Sequence, residues 1–501
     1  MRDDTTIVLV SNRGPVSFVE TSDGFDTKRG AGGLAGALDP VARQLGERAV
    51  WVAAATSEGD RKAIAAGAAD GLAEQLGYPV YLLDIDPETY SRYYDVVSNR
   101  MLWFANHCLW DELNVKTFGE EELRAWEDAY QPVNRQFAAA VAEVAGQSGL
   151  VLFQDYHLST APAELRRMRP DQTIFHFTHS SFCGPEDGLE RVPRPIPQSV
   201  IEGLMGADLV GFHVAAWVHN FLDCCERIGA EVDRDNGLVR HASGGLGRRD
   251  SKWIDTWVRE YPIPIDPADL RERATGPAAS AWSKLFRSGA EGPLVVRADR
   301  AEPSKNIVRG FEAFGLMLDR RPDLAGTRFA ACLYPSRQSM PEYRRYTEQI
   351  EAAAAAVNAR HPGAIDLYMK DDFDRTLGAY RVYDVLLVNP IMDGMNLVSK
   401  EGSCLNQNDG VLVLSRGAGS FEELGDQAVP IEDQMDVAST AEALERAIDM
   451  DPEERRRRAE KLRALSTARR PEDWINSQLD DLVAVQEGNP PLTPAAPRPS
   501  R

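Results

Sequence analysis

Short apolar runs, each followed by a loop and then a helical pattern, recur along almost the whole chain, and that alternation leaves few folds open. The runs at residues 6–11 (TIVLVS), 49–54, 80–83, 150–153, 174–177 and 207–213 are short and nearly continuous, so they read as parallel strands covered on both faces. A strand returns parallel to its predecessor only through a long crossover, and the helical stretches supply it. The pattern breaks at residues 261–266 (YPIPID) and restarts at 294–296, continuing through 329–333, 366–369, 385–388 and 410–414. At 501 residues the chain exceeds what one hydrophobic core serves, and 43% hydrophobic residues suffice for two. The expected fold class is α/β, with two doubly wound sheets facing across a cleft. The domains are read as residues 1–262 and 263–487, the last helix able to pack back on the first domain. The proline-rich segment 488–501 reads as a disordered tail.

Charge narrows the partners. A formal net charge of -21 argues against nucleic acid or an anionic membrane, so an anionic small substrate would need a local basic pocket. The six cysteines show no CxxC spacing and read as buried thiols in a reducing compartment. The start, MRDDTT, carries acids where a signal peptide has bases, and no apolar stretch is long enough to span a bilayer. The expected location is the cytoplasm. His176 and His179 fall on one strand with no further ligand at metal spacing, so neither a metal nor a resident cofactor is expected.

The chemistry-bearing residues gather at strand ends, where open α/β sheets bind ligands. The stretch 383–404 (YDVLLVNPIMDGMNLVSKEGSC) reads as a buried strand, a tight Asp393-Gly394 loop, and a helix starting near Asn396. With Leu397 and Val398 in its first turn, unpaired backbone amides there suit a phosphate, and Glu401 lies about one turn on, within reach of ribose hydroxyls. In the first half, a strand runs into Asn12-Arg13, and a glycine cluster, Gly30 to Gly33, precedes a helix over 34–45. Asp155 and His179 each follow a strand, and Tyr94 and Trp103 belong to an aromatic-rich stretch most of whose rings should be core. Taken singly, each of these is more often an ordinary corner than a site. Segment 244–249 reads as a surface loop, and the run Arg455 to Arg458 as a solvated helix face.

Together the motifs are recognisable. Ser11-Asn12-Arg13, Ala31-Gly32-Gly33-Leu34, Tyr94 with Trp103, Asp155-Tyr156-His157-Leu158, His179, Arg300 with Lys305, and Asp393-Gly394-Met395-Asn396-Leu397-Val398 with Glu401 resemble the trehalose-6-phosphate synthase family, from about residue 6 to 486. The resemblance implies two Rossmann-like domains of the glycosyltransferase B type. It also implies metal-independent, retaining transfer of glucose from a nucleoside-diphosphate sugar to glucose 6-phosphate. Arg300 and Lys305 match the pair on the diphosphate, Gly33 the loop over the phosphates, and Asp393 through Val398 the donor loop. Glu401 matches the ribose ligand, His179 a donor-sugar contact, and Asp155 the residue orienting hydroxyls. Arg13, Tyr94, Trp103 and Arg337 match the acceptor-phosphate pocket. Three departures stand out. Trp51-Val52-Ala53-Ala54 lacks the family's second acceptor Trp, Ser180-Ser181-Phe182-Cys183 replaces an Ile-Pro-Phe-Pro pattern, and Ala301-Glu302-Pro303-Ser304 replaces an Asp-Tyr-containing bridge. They keep open a related transferase acting on glycerol phosphate or joining cyclitols, and a non-catalytic sugar-phosphate sensor. The donor base and the oligomeric state stay open too.

Overall fold

The structure, a computed structural model, describes residues 5–29, 33–110, 118–186, 188–242, 253–288 and 292–497. It divides into two compact units. The first combines residues 1–108 and 115–262 with 472–501, and the second combines 263–471 with 109–114.

The strands of the first unit are β1 (Ile7–Arg13), β2 (Val16–Thr21), β3 (Gly24–Arg29), β4 (Ala49–Ala54), β5 (Val80–Leu83), β6 (Leu150–Gln154), β7 (Thr173–Phe177), β8 (Leu209–Phe212), β9 (Glu231–Asp233), β10 (Leu238–Ala242) and β11 (Trp253–Glu260). Nine of them form one sheet in the order β5-β4-β1-β6-β7-β8-β11-β10-β9. It is parallel except at the edge, where β10 runs antiparallel to β11 and β9. Strand order reverses between β1 and β6, and that switch point opens a crevice at the carboxyl ends of the strands.

The polar segment after β1, given no element by the sequence, is the hairpin of β2 and β3. Its apolar residues are too few to mark it as buried strand, and a buried carboxylate ties its first strand to the rest of the unit. Buried Asp60 accepts from the backbone amides of Phe18 (2.7 Å), Thr56 (2.9 Å) and Ser57 (2.9 Å), while Ser57 caps the helix Glu58–Ala65. The glycine cluster at 30–32 and the segment 244–249 lie outside the described residues; Gly33 opens the helix Gly33–Leu45.

The second unit contains β12 (Leu294–Arg300), β13 (Arg328–Tyr334), β14 (Ile365–Met369), β15 (Val385–Val388), β16 (Val411–Ser415) and β17 (Val429–Ile431). All pair in parallel, in the order β14-β13-β12-β15-β16-β17. Successive side chains on a strand point to opposite faces, so each strand feeds two cores. Val295, Val385 and Leu387 join one cluster with Phe311 and Phe314; Leu294, Val296, Leu386 and Val388 join the other with Phe286 and Tyr380. That double burial is why these strands read as unbroken apolar runs. β12 runs four residues beyond the run read from sequence, carrying Arg297, Asp299 and Arg300 to its carboxyl end.

The helix Pro471–Gln486 closes the chain. The tail differs from its sequence reading: residues 488–497 follow a defined path in the first unit. Asp481 accepts from the amides of Leu492 (2.6 Å) and Thr493 (2.9 Å), Arg259 donates to the Thr493 carbonyl (2.7 Å), and the His219 ring bonds the Pro497 carbonyl (2.7 Å). Prolines lack a donor but keep their carbonyls, and composition does not reveal that two folded side chains wait for such acceptors.

Candidate active site

In the second unit the predicted residues converge on the switch point between β12 and β15. Arg300 ends β12 with its side chain 53% exposed, and Lys305 follows in the turn before the helix Ile307–Arg320. Lys305 Nζ lies 2.5 Å from Asp393 Oδ2 and 3.9 Å from Asp299 Oδ1. Burial opposes its charge, but those two carboxylates outweigh burial and hold its pKa above the ordinary lysine value. Asp299 is also bridged by buried Arg297 at 2.8 Å, which in turn donates to the Lys305 carbonyl at 2.9 Å. The ammonium is thus fixed from both its tip and its backbone.

The loop at 393–398 is built as the sequence suggested and is supported by a segment the sequence reading overlooked. Asn396 is the N-cap of the helix Leu397–Leu405, its side chain accepting from the Ser399 amide at 3.1 Å and donating to Asp393 Oδ2 at 3.0 Å. The cap takes the Ser399 amide, and those of Leu397 and Val398 head the helix, where the dipole favours an anion. Behind the loop runs 416–420. The Asp393 amide donates to the Gly417 carbonyl (2.9 Å), Gly419 to the Asp393 carbonyl (3.1 Å), and Ser420 to the Met395 carbonyl (2.7 Å). A Cβ on Gly417 or Gly419 would come within 2.1 Å of the Ile391 or Gly394 carbonyl oxygen, so only glycine permits this approach. A G-x-G after the strand at 411–415 was the available signal.

Glu401 lies on the same helix. Burial pushes its carboxyl up to about 7, against smaller opposing effects of a Tyr380 hydrogen bond and Arg273.

Arg337, which the resemblance groups with Arg13, Tyr94 and Trp103, stands in the second unit, in the turn after β13. Its NH1 donates to the Tyr343 hydroxyl at 2.5 Å and lies 3.6 Å from Glu302 Oε1. Glu302, flagged in the sequence only as a departure from the family, is 0% exposed and also pairs with Arg300 at 3.1 Å. Burial raises its pKa, yet Arg300, Arg337 and Lys305 reverse that and hold it at about 2.

In the first unit, Arg13 at the end of β1 and Asp155 just after β6 flank the other switch point. Arg13 NH2 donates to the Tyr94 hydroxyl at 2.9 Å. Tyr94 is stacked between Tyr90 (centroids 5.5 Å, 11°) and His157 (5.5 Å, 12°). His157 stacks on Tyr156 at 4.2 Å, and Tyr156 meets Trp103 at 5.7 Å. One run of rings therefore joins Trp103 to Arg13. Trp103 itself is only 8% exposed and sits behind Tyr156 against His107, so most of its face is packing. Tyr90 and His157, the rings on either side of Tyr94, were given no role from sequence, because one stretch of sequence does not reveal which rings of another stack on it.

Asp155 has φ 73, a left-handed conformation uncommon for a non-glycine residue. The turn is held by its own groups: its amide donates to the Phe177 carbonyl (2.6 Å), and its carboxylate accepts from the His179 amide (3.2 Å). The His179 ring bonds Gln154 Oε1 at 2.9 Å. Burial, with His213 and His176 beside it, holds its pKa well below the ordinary histidine value, so the ring is neutral at pH 7. The strand register pairs Arg13 with Ala54, the position without the second Trp.

Among the described residues no group of three or more His, Cys, Asp or Glu side chains is placed to hold a metal ion. None of their helices is long and apolar enough to cross a membrane.

Two Rossmann-type parallel-sheet units, each with charged side chains at its switch point, are the architecture of a GT-B glycosyltransferase. Residues 5–484 match Glycosyltransferase family 20. The trehalose-6-phosphate synthase of Mycobacterium sp. (strain KMS) is 33% identical over 502 residues, covering 98% of this chain and 97% of that protein. The solved α,α-trehalose 6-phosphate synthase of Burkholderia multivorans superposes with a TM-score of 0.79 at 27% identity, covering 97% of both chains. An Escherichia coli trehalose-6-phosphate protein solved with UDP-2-fluoro glucose gives 0.77 at 25% identity, over 95% of this chain and 99% of that one. The chain belongs to Glycosyltransferase family 20.

Proposed function

We propose that this enzyme transfers glucose, with retention, from a nucleoside-diphosphate glucose to glucose 6-phosphate, giving trehalose 6-phosphate. The observation that carries this reading is the Arg300 and Lys305 pair at the β12 switch point, with Lys305 locked on Asp393 of the donor loop. As the bond between the anomeric carbon and the β-phosphate oxygen breaks, its electron pair leaves with the phosphate. Cations already fixed at that oxygen stabilise the transition state more than the ground state. The amides heading the Leu397–Leu405 helix add to the same field. The 1-hydroxyl of the acceptor attacks the face the phosphate leaves, and its proton passes to the departing phosphate oxygen, so no protein carboxylate serves as nucleophile. In this reading Asp155 orients sugar hydroxyls, neutral His179 and Asp393 hold the donor glucose, and Glu401 accepts from the ribose. Gly33 belongs to the loop over the phosphates, and Arg13, Tyr94, Trp103 and Arg337 take the acceptor. A nucleotide-sugar substrate and six unbridged thiols suit a cytoplasmic setting.

The test is nucleotide release from UDP-, GDP- and ADP-glucose with glucose 6-phosphate, glycerol 3-phosphate or an aminocyclitol phosphate. Release is expected with glucose 6-phosphate as the best acceptor, unchanged after dialysis against a strong chelator. Binding without release would identify a sensor, and activity lost to the chelator and restored by one divalent ion would overturn the metal-free mechanism.

Donor binding is expected to depend on pH through Glu401. A carboxylate accepts two ribose hydroxyls better than the neutral acid does. Because burial raises this carboxyl to about 7, it is largely protonated below that pH. The affinity for UDP-glucose, whose diphosphate does not titrate there, should therefore rise between about pH 6 and about pH 8. In Glu401→Gln the affinity should be lower and flat with pH. Calorimetry showing a flat wild-type profile would remove Glu401 from the ribose.

A further inference from the structure

Glu302 carries its charge in an unusual way. The side chain is fully buried, and everything it holds is on one oxygen. Oε1 accepts from the Ser336 hydroxyl at 2.7 Å and faces two guanidiniums, Arg300 NH1 at 3.1 Å and Arg337 NH1 at 3.6 Å. Oε2 is equally buried and has no hydrogen-bond partner among the described residues. A carboxylate oxygen offers about two lone-pair directions, so with the hydroxyl and the nearer guanidinium in place Arg337 is left beyond hydrogen-bond distance. A buried carboxylate oxygen without a donor is costly and points to a second arrangement of its donors. Arg337 is itself held in the left-handed region, φ 43, with its guanidinium on Tyr343 at 2.5 Å. A strained backbone of that kind persists where the surroundings fix the residue for a task. Arg300, by contrast, is half exposed and free to leave.

We propose that Glu302 is a positioning residue shared between the two substrate cations. When the donor diphosphate draws Arg300 away, the carboxylate passes to Arg337 and fixes that guanidinium for the acceptor phosphate. This rests on the reading of Arg300 as the diphosphate ligand and Arg337 as an acceptor-phosphate ligand. Its consequence is a sign. Two anionic substrates repel one another, so through space alone UDP should weaken the binding of glucose 6-phosphate. Transfer of Glu302 makes UDP tighten it, because the new arrangement already presents the Arg337 guanidinium to the phosphate when it arrives.

The experiment is calorimetric titration of glucose 6-phosphate with and without saturating UDP. In the wild type UDP is expected to lower the Kd for glucose 6-phosphate by about five- to tenfold, the lower range of ordinary coupling between sites. In Glu302→Gln that ratio should fall below about twofold, and thermal melting establishes that the variant is folded. Should it not fold, Arg300→Ala decides, because removing Arg300 leaves Glu302 with Arg337 permanently. That variant should bind UDP weakly, yet bind glucose 6-phosphate without UDP as tightly as the wild type does with it. A merely structural Glu302 would not make the loss of a cation improve the binding of an anion. Coupling intact in folded Glu302→Gln, or no gain for glucose 6-phosphate in Arg300→Ala, overturns the transfer while leaving the substrate assignment standing. Undiminished UDP affinity in Arg300→Ala would instead remove the diphosphate assignment, and the transfer with it.

Discussion

Lys305→Ala is expected to slow glucosyl transfer by at least about a hundredfold, the scale set by removing one preorganised group from a developing charge. Arg300→Ala should do the same. The Lys305 ammonium is immobilised by Asp393 and Asp299, so it need not reorganise as the diphosphate departs. Its removal also takes a cation from two carboxylates, leaving Asp299 with Arg297 and Asp393 with the Asn396 amide. Asp299 is buried, and burial already raises its pKa, so Lys305→Ala should lose stability as well as rate. The two effects separate by assaying well below the melting temperature of each variant, because Arg300→Ala also takes a cation from buried Glu302. Turnover within a few-fold of wild type in either folded variant would end the leaving-group argument.

The second large effect is expected at Arg13. A guanidinium makes paired, charge-assisted bonds to a phosphate, each worth about 1.5–3 kcal/mol. Arg13→Ala should therefore lower kcat/KM for glucose 6-phosphate by at least about a hundredfold. Free glucose, a very poor acceptor, should be unaffected. Arg13 is partnered by the Tyr94 phenol, which orients the guanidinium without neutralising it. Beside it in the sheet stands Ala54, buried and without a ring. A Trp there would give a sugar a flat apolar wall, and its lack should make the pocket less exacting toward other phosphorylated polyols. The measurement compares kcat/KM for glucose 6-phosphate, free glucose, glycerol 3-phosphate and an aminocyclitol phosphate. Free glucose matching its phosphate would sink the anion pocket, and a strong preference for the aminocyclitol phosphate would promote cyclitol joining instead.

The two sheets and the loop at 393–398 with its Asn396 cap were legible in the chain because they rest on local signals. A strand covered on both faces must be an unbroken apolar run, as at Val385–Val388. A helix start after a tight loop declares itself through its capping residue. What the sequence by itself determined, then, is the class of fold and which residue types stand at the carboxyl ends of its strands. Tertiary structure alone decided their company. The hairpin after β1 depends on a carboxylate about forty residues away, and the tail beyond 488 is held by Asp481, Arg259 and His219. Glu302 looked like a substitution in a loop until folding placed it, fully buried, between Arg300 and Arg337. The physical reason is common to all three. Local patterns report backbone periodicity and burial, whereas the charge and hydrogen bonding of a buried polar group depend on partners that only the folded chain brings within 3 or 4 Å, about hydrogen-bond and ion-pair distance.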